Sequence, residues 1–161
     1  MLVRFKKINP NASIPTYGSS YAAGCDLSAC IDQAISIPPH TTIKVPTGLA
    51  IELPENTVGL IYARSGMATK RHLAPANKVG VIDADYRGEI KVNLYLIPTA
   101  VLKADENGKV PKTLTIKHGE RFAQLVFAPV KHGKFHEVEE FSEDKFNNER
   151  GENGHGSTGT N

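Results

Sequence analysis

The hydrophobic residues of this chain alternate in short runs cut off by proline and glycine, and hardly any stretch supports a helix of useful length. Ile90, Val92, Leu94 and Leu96 alternate with Lys91, Asn93 and Tyr95, the period of a strand whose successive side chains leave opposite faces. Leu49, Ile51 and Leu53 repeat the pattern around Ala50 and Glu52, Leu114 and Ile116 sit between Thr113, Thr115 and Lys117, and Val58, Leu60 and Tyr62 form a further set. Phe122 to Phe127 is nearly continuous, as in a strand covered on both faces. Pro38-Pro39, Pro46, Pro54, Pro75, Pro98, Pro111, Gly119 and Pro129 separate these runs, as turn residues do. The best helical candidate starts near Ser65, whose hydroxyl is expected to cap free N–H groups, and continues through Arg71. Many short strands with one brief helix predict an all-β fold, a closed sandwich or distorted jelly-roll barrel.

A length of 161 residues suits one domain. The apolar runs are too short to span a bilayer. Charges within the first seven positions, Met-Leu-Val-Arg-Phe-Lys-Lys, leave no room for a secretory apolar core. Cys25 and Cys30 are expected on opposite faces of a strand, as buried, reduced thiols of a cytoplasmic protein. Net charge is only +2, which does not suggest stable nucleic-acid binding. That small value conceals an asymmetry. Between Glu137 and Glu152 seven acids face two bases, a local −5, so the remainder carries +7. A basic body beside an acidic connector could attract a small polyanion, or the connector could be simply a solvated linker.

Few residues are placed to carry chemistry. Gly80-Val-Ile-Asp83-Ala-Asp85-Tyr86-Arg87-Gly88 reads as a hairpin tip. It is either an ordinary acidic turn or a carboxylate held at a strand end, where it could accept a proton from water. His132 and His136 are four apart, but on a strand roughly 13 Å would separate them, too far for one ion. The segment Gly151–Gly159 beside Arg150 has a composition suited to wrapping phosphates with backbone N–H groups. It is not a P-loop, having no Lys before Ser157 and no helix to follow. The tail from Phe141 onward has almost nothing apolar to bury and in isolation should be mobile. The stretch Thr99–Lys112, with Lys103, Asp105, Glu106, Asn107, Gly108 and Lys109, reads as a long exposed hairpin turn.

Five segments, in order, resemble the five motifs of the trimeric dUTP pyrophosphatases (dUTPases). They are Ala23-Gly-Cys-Asp26-Leu-Ser-Ala29, Ala63-Arg64-Ser65-Gly66-Met-Ala68, Gly80 through Gly88, Arg121-Phe-Ala-Gln124-Leu125, and Arg150-Gly151 through Gly159. The resemblance implies a homotrimeric jelly roll over residues 1–140, with active sites between subunits, and a mobile C-terminal arm over 141–161 that closes over the active site. It implies Mg²⁺-dependent hydrolysis of dUTP to dUMP and pyrophosphate, limiting uracil in DNA and supplying dUMP for thymidylate synthesis. By position in the motifs, Asp83 would deprotonate the attacking water and Tyr86 would pack against the deoxyribose. The backbone around Asn77, Val81, Ile82 and Lys91 would read the uracil edge. Arg64, Ser65, Gly66 and Gln124, with Gly156, Ser157 and Thr158 of the arm, would hold the phosphates. Arg150 would reach the γ-phosphate, and Asp26 would support Mg²⁺ through its bound waters. The arm departs from the family's Arg-Gly-x-Gly-Gly-Phe-Gly-Ser-Thr-Gly in carrying Asn153 for a glycine and His155 for the phenylalanine; the His155 imidazole would stack on uracil instead. Two other readings stay open. A dCTP deaminase shares this fold but calls for a catalytic Glu near the uracil-reading segment. A nucleotide-binding regulator without turnover would have no use for Asp83, Gln124 and Arg150 together.

Overall fold

A computed structural model describes residues 1–97 and 113–141. The expected turn over 99–112 and the arm residues Arg150, His155, Gly156, Ser157 and Thr158 lie outside the described residues. Met1–Lys131 forms one compact unit and His132–Asn161 a second. In the second, the described residues 132–141 carry no regular structure, and Phe135 and Phe141 are almost fully exposed. His132 and His136 are exposed there too.

The first unit is built from β1 (Arg4–Lys7), β2 (Thr16–Tyr17), β3 (Gly24–Ser28), β4 (Ile35–Ile37), β5 (Thr42–Pro46), β6 (Leu49–Glu52) and β7 (Thr57–Ala63). After α1 (Ser65–Arg71) come β8 (Leu73–Pro75), β9 (Gly80–Ile82), β10 (Lys91–Leu96), β11 (Leu114–Ile116) and β12 (Arg121–Pro129). The expected strands and the single short helix are present. Among the described residues the strands form a five-stranded sheet, β2-β3-β12-β7-β9, a three-stranded sheet, β5-β10-β8, and two pairs, β1-β6 and β11-β4. All ladders are antiparallel. Among the described residues these sheets share a core but do not close into one hydrogen-bonded barrel.

Alternation places the core. Ile90, Val92, Leu94 and Leu96 are buried, while Lys91 and Asn93 are exposed, so β10 lays one face on Leu27, Ile37, Leu73 and Phe122 within a single cluster. Thr47, buried with them, is satisfied: its Oγ1 donates to the Ile90 carbonyl at 2.8 Å, which removes the penalty of an unpaired buried hydroxyl. Cys25 and Cys30 are buried and free. Burial pushes both thiols up, aided by Asp26 at Cys25 and by Glu89 and Asp32 at Cys30; both are thereby kept in the unreactive protonated form.

Three sequence expectations fail for identifiable reasons. In β7 the core face is Gly59 and Ile61, whereas Val58, Leu60 and Tyr62 are only half-buried on the other face. The strand is apolar on both sides, so periodicity alone does not choose between them. Ser65 does not cap α1: it is the first helical residue, Arg64 holds the N-cap position in an extended conformation, and no side chain bonds there. The stretch Asp83–Gly88 is not a hairpin tip. β9 pairs with β7 and β10 with β5 and β8, so the loop between them crosses from one sheet to another. A turn is present, since the Tyr86 N–H reaches the Asp83 carbonyl at 3.1 Å, but partner choice is a tertiary matter.

Candidate active site

The first cluster arises where β3 and β12 meet. Their register sets Asp26 opposite Gln124, and β12 sets Gln124 opposite Tyr62 of β7. Asp26 is thus two strands over from the end of β7, where the chain turns into α1, and the Arg64 side chain spans the gap. Its Oδ1 takes Arg64 Nε at 2.7 Å and its Oδ2 takes Arg121 Nη1 at 2.9 Å. Arg64 Nη1 also donates to the Arg121 carbonyl at 3.0 Å. One carboxylate between two guanidiniums leaves a local charge of +1. Arg64 commits Nε and Nη1, and among the described residues its Nη2 donors take no partner, so the fork keeps capacity for an anion.

Gln124 is set beside this group. Its Nε2 donates to the Ala63 carbonyl at 2.9 Å, leaving the second amide hydrogen available. Gly24 leaves room for it: a Cβ there would stand 3.1 Å from Gln124 Oε1. Ser65 and Gly66 are exposed at the start of α1, where helix N–H groups lack intrahelical partners. A Cβ on Gly66 would meet nothing within 4 Å, so that glycine is not required by packing within the chain. The far end of α1 is tied to the same region, since Arg71 pairs with Glu120 and donates to the Thr115 carbonyl.

The second cluster follows β9. Among the described residues β9 ends its sheet, pairing only with β7. Backbone groups alternate between the two edges of a strand, so those of β9 that point away from β7 are open to a ligand. Asn77 lies just before it in a tight turn: the Val79 N–H bonds the Asn77 carbonyl at 2.7 Å across Lys78, whose φ is 67°, a γ-turn of the strained kind. Asp83 is exposed immediately after β9. Tyr86 is 42% exposed, and its hydroxyl donates to the Glu89 carbonyl at 3.0 Å. Lys91 is held by Glu89 at 3.0 Å, and the other Glu89 oxygen accepts the Gly48 N–H at 2.9 Å.

The two clusters share a sheet but not a locality. Ile82 lies opposite Gly59, while Asp26 lies on the line of Gln124 and Tyr62. Three strand spacings and three residues along the strand put Ile82 on the order of 17 Å from Asp26, with Asp83 one residue further on. The structure therefore brings Asp26, Arg64 and Gln124 together near Ser65 and Gly66, and separately gathers Asn77, Val81, Ile82, Asp83, Tyr86 and Lys91. Arg121 was absent from the candidates read from sequence, although it opens the fourth motif. Its part depends on a pairing with Asp26 across 95 positions.

A divalent cation would find one suitable group here. No three His, Cys, Asp or Glu side chains cluster as a metal cage among the described residues. Each Asp26 oxygen carries one guanidinium contact and retains a lone pair for water. That donor set fits Mg²⁺ held through its waters and through substrate oxygens, the mode this hard ion prefers; it does not fit a protein-only site.

Between the clusters, the outer face of the sheet is apolar. Leu60 stands opposite Val81 on one side and Val126 on the other, with Val58 opposite Ala128. Val81 is 59% exposed and the rest are half-buried. An exposed apolar face of this kind marks an interaction surface.

Comparison with known proteins gives a consistent picture. The family model described as dUTPase matches residues 10–159. A deoxyuridine 5'-triphosphate nucleotidohydrolase of Desulfitobacterium hafniense is 47% identical over 147 residues, covering 91% of this chain and 87% of that protein. The same enzyme from Cytophaga hutchinsonii is 46% identical over 149 residues, covering 92% and 86%. Among solved structures, the dUTPase of Staphylococcus bacteriophage 80alpha with dUPNHPP has a TM-score of 0.83 at 28% identity, covering 99% of each chain. A mutant dUTPase from phage phi11 of S. aureus, described as coordinating a structural Mg(II) ion, has a TM-score of 0.74 at 26% identity, covering 88% of this chain and 99% of that one.

Proposed function

Because the chain belongs to the dUTPase family, we propose that it is a homotrimeric dUTP diphosphatase that cleaves dUTP to dUMP and pyrophosphate by attack of water on the α-phosphorus. The observation that carries this reading is the division of one sheet into two half-sites. A cation-rich cluster suited to phosphates lies at one end, and a free strand edge with a carboxylate lies at the other. Within one chain they are too far apart to hold the same nucleotide, because a general base must come within about 3 Å of its proton donor. Assembly through the apolar outer face would let Asp83 of one subunit meet the phosphate cluster of the next.

In that composite site the backbone edge of β9, with Asn77 and Lys91, reads the uracil ring. A base that leaves those polar groups unmatched forfeits their hydrogen bonds. Tyr86 lies along the deoxyribose and leaves no space for a 2′-hydroxyl. The free fork of Arg64, the Gln124 amide and the N–H groups of Ser65 and Gly66 bind the phosphate chain. Asp83 takes the proton from water as its oxygen approaches the α-phosphorus, and pyrophosphate leaves. Mg²⁺, when bound with the triphosphate, supplies charge neutralisation on the phosphate oxygens, with Asp26 holding its water shell. Arg150 reaches the leaving pyrophosphate, while His155, Gly156, Ser157 and Thr158 close over the nucleotide as the arm orders. Two unpaired thiols support a cytoplasmic location. Among the described residues no helix is long and apolar enough to cross a membrane.

Incubation with dUTP and with dCTP, assaying pyrophosphate and ammonia separately, tests the function. Pyrophosphate from dUTP alone is expected. Ammonia from dCTP would assign a deaminase, and binding without either product a regulator. Deleting the chain after Asn148 is expected to leave a folded trimer with little activity. Loss of the trimer by sedimentation would show that the arm serves assembly rather than closure.

A further inference from the structure

Gly88 stands two residues after Tyr86, and its backbone does not need to be glycine. Positive φ among the described glycines is confined to Gly48 and Gly119, so at Gly88 the main chain is one that other residues could adopt. The reason for a bare position lies in the tyrosine ring. A Cβ on Gly88 would stand 2.4 Å from Tyr86 Oη, 2.6 Å from its Cζ and 2.9 Å from its Cε2, all inside van der Waals contact. The ring therefore lies down on the Gly88 backbone, and its hydroxyl reaches past it to the Glu89 carbonyl at 3.0 Å.

The seat under the ring is itself fixed. One Glu89 oxygen holds the Gly48 N–H at 2.9 Å and the other holds Lys91 at 3.0 Å. Gly48 has no freedom to retreat: its φ is 68°, and a Cβ there would stand 2.8 Å from the Cys30 sulfur and 2.9 Å from the Ala12 Cβ. The Ile90 N–H is bonded in turn to the Leu49 carbonyl at 2.8 Å. A side chain at Gly88 would thus meet an anchored backbone on one side and a 42% exposed ring on the other. The ring is what gives way.

We infer that Gly88 is a specificity-determining position, because its missing side chain lets the Tyr86 ring lie flat where it walls off the 2′ position of the sugar. This rests on the reading of Tyr86 as the deoxyribose wall. With any Cβ at Gly88 the ring stands away, the space beneath the sugar opens, and a ribonucleotide triphosphate enters. Gly88 acts through Tyr86 and is a positioning residue.

The test compares kcat/KM for dUTP and UTP, with pyrophosphate release as the readout. It uses the full chain, Gly88→Ala, Tyr86→Ala and the double variant, each checked by thermal denaturation. Gly88→Ala is expected to fold and to lower the dUTP:UTP preference on the order of tenfold or more, the scale of a one-group steric gate. In the Tyr86→Ala background the same change is expected to do nothing further, since no ring remains to displace. Three results would overturn the inference: full selectivity in Gly88→Ala, an equal loss on top of Tyr86→Ala, or a Gly88→Ala chain that fails to fold. A parent chain that hydrolyses dUTP and UTP alike would remove the sugar-wall role of Tyr86, and this inference with it. A parent chain without dUTP hydrolysis would instead remove the proposed function.

Discussion

Asp83→Asn is expected to bind dUTP nearly as well as the parent chain and to lose kcat by a factor on the order of 10²–10⁴, the usual contribution of a positioned general base. The substitution keeps the shape of the residue after β9 and leaves its backbone in the turn closed by the Tyr86 N–H. What it removes is the capacity to take a proton. An amide still holds the water by hydrogen bonds, so the loss should fall on kcat with KM little changed. Single-turnover pyrophosphate release with saturating dUTP, alongside equilibrium binding, separates the two quantities. A kcat within severalfold of the parent would take the base role away from Asp83 and leave it a substrate contact.

Two inactive variants are expected to make an active enzyme when mixed. Arg64→Ala should lose phosphate binding, since the guanidinium whose Nη2 is unengaged among the described residues is gone, and of Asp26's two described partners only Arg121 remains. Asp83→Asn lacks the base. If each site takes its phosphate cluster from one subunit and its carboxylate from the next, random reassembly of equal amounts makes about a quarter of the sites whole in a cyclic trimer. Activity near that share of the parent value, rising from the background of either variant alone, would confirm composite sites. A mixture that exchanges subunits by native mass spectrometry yet stays at background would place the whole site within one chain. A chain carrying both substitutions is the control, because its presence in hybrids restores nothing.

Much of the architecture was legible because it is local. Ile90, Val92, Leu94 and Leu96 announce their own strand and inner face, and Pro and Gly announce where such strands stop. Asp83-Ala-Asp85-Tyr86 announces a turn. Its destination was not legible, because a turn fixes the direction of two neighbouring residues and not the sheet that each later joins. The same limit explains Val58, Leu60 and Tyr62. Both faces of β7 are apolar, and only the strands on either side decide which one looks inward. The candidate site followed this division. The motifs marked Asp26, Arg64 and Gln124 one by one, whereas the engagement of Arg121 with Asp26 depends on the β3–β12 register and on an irregularity between Arg121 and Ala123. The common preference for serine at a helix start does not hold at α1. An arginine whose side chain is already committed to Asp26 occupies the position instead.

Strand β12 performs three tasks in nine residues. Phe122, Ala123 and Leu125 fill the core, Arg121 and Gln124 join the cluster around Asp26 and Arg64, and Val126 and Ala128 belong to the apolar outer face. Little of it is free to drift. A change that a core strand would absorb by repacking, or that a surface strand would absorb in water, would under the proposed function reach assembly or chemistry as well. Across divergent copies of this enzyme, substitutions in β12 should therefore arrive in company, with compensating changes in β3 and β7, which share its ladders.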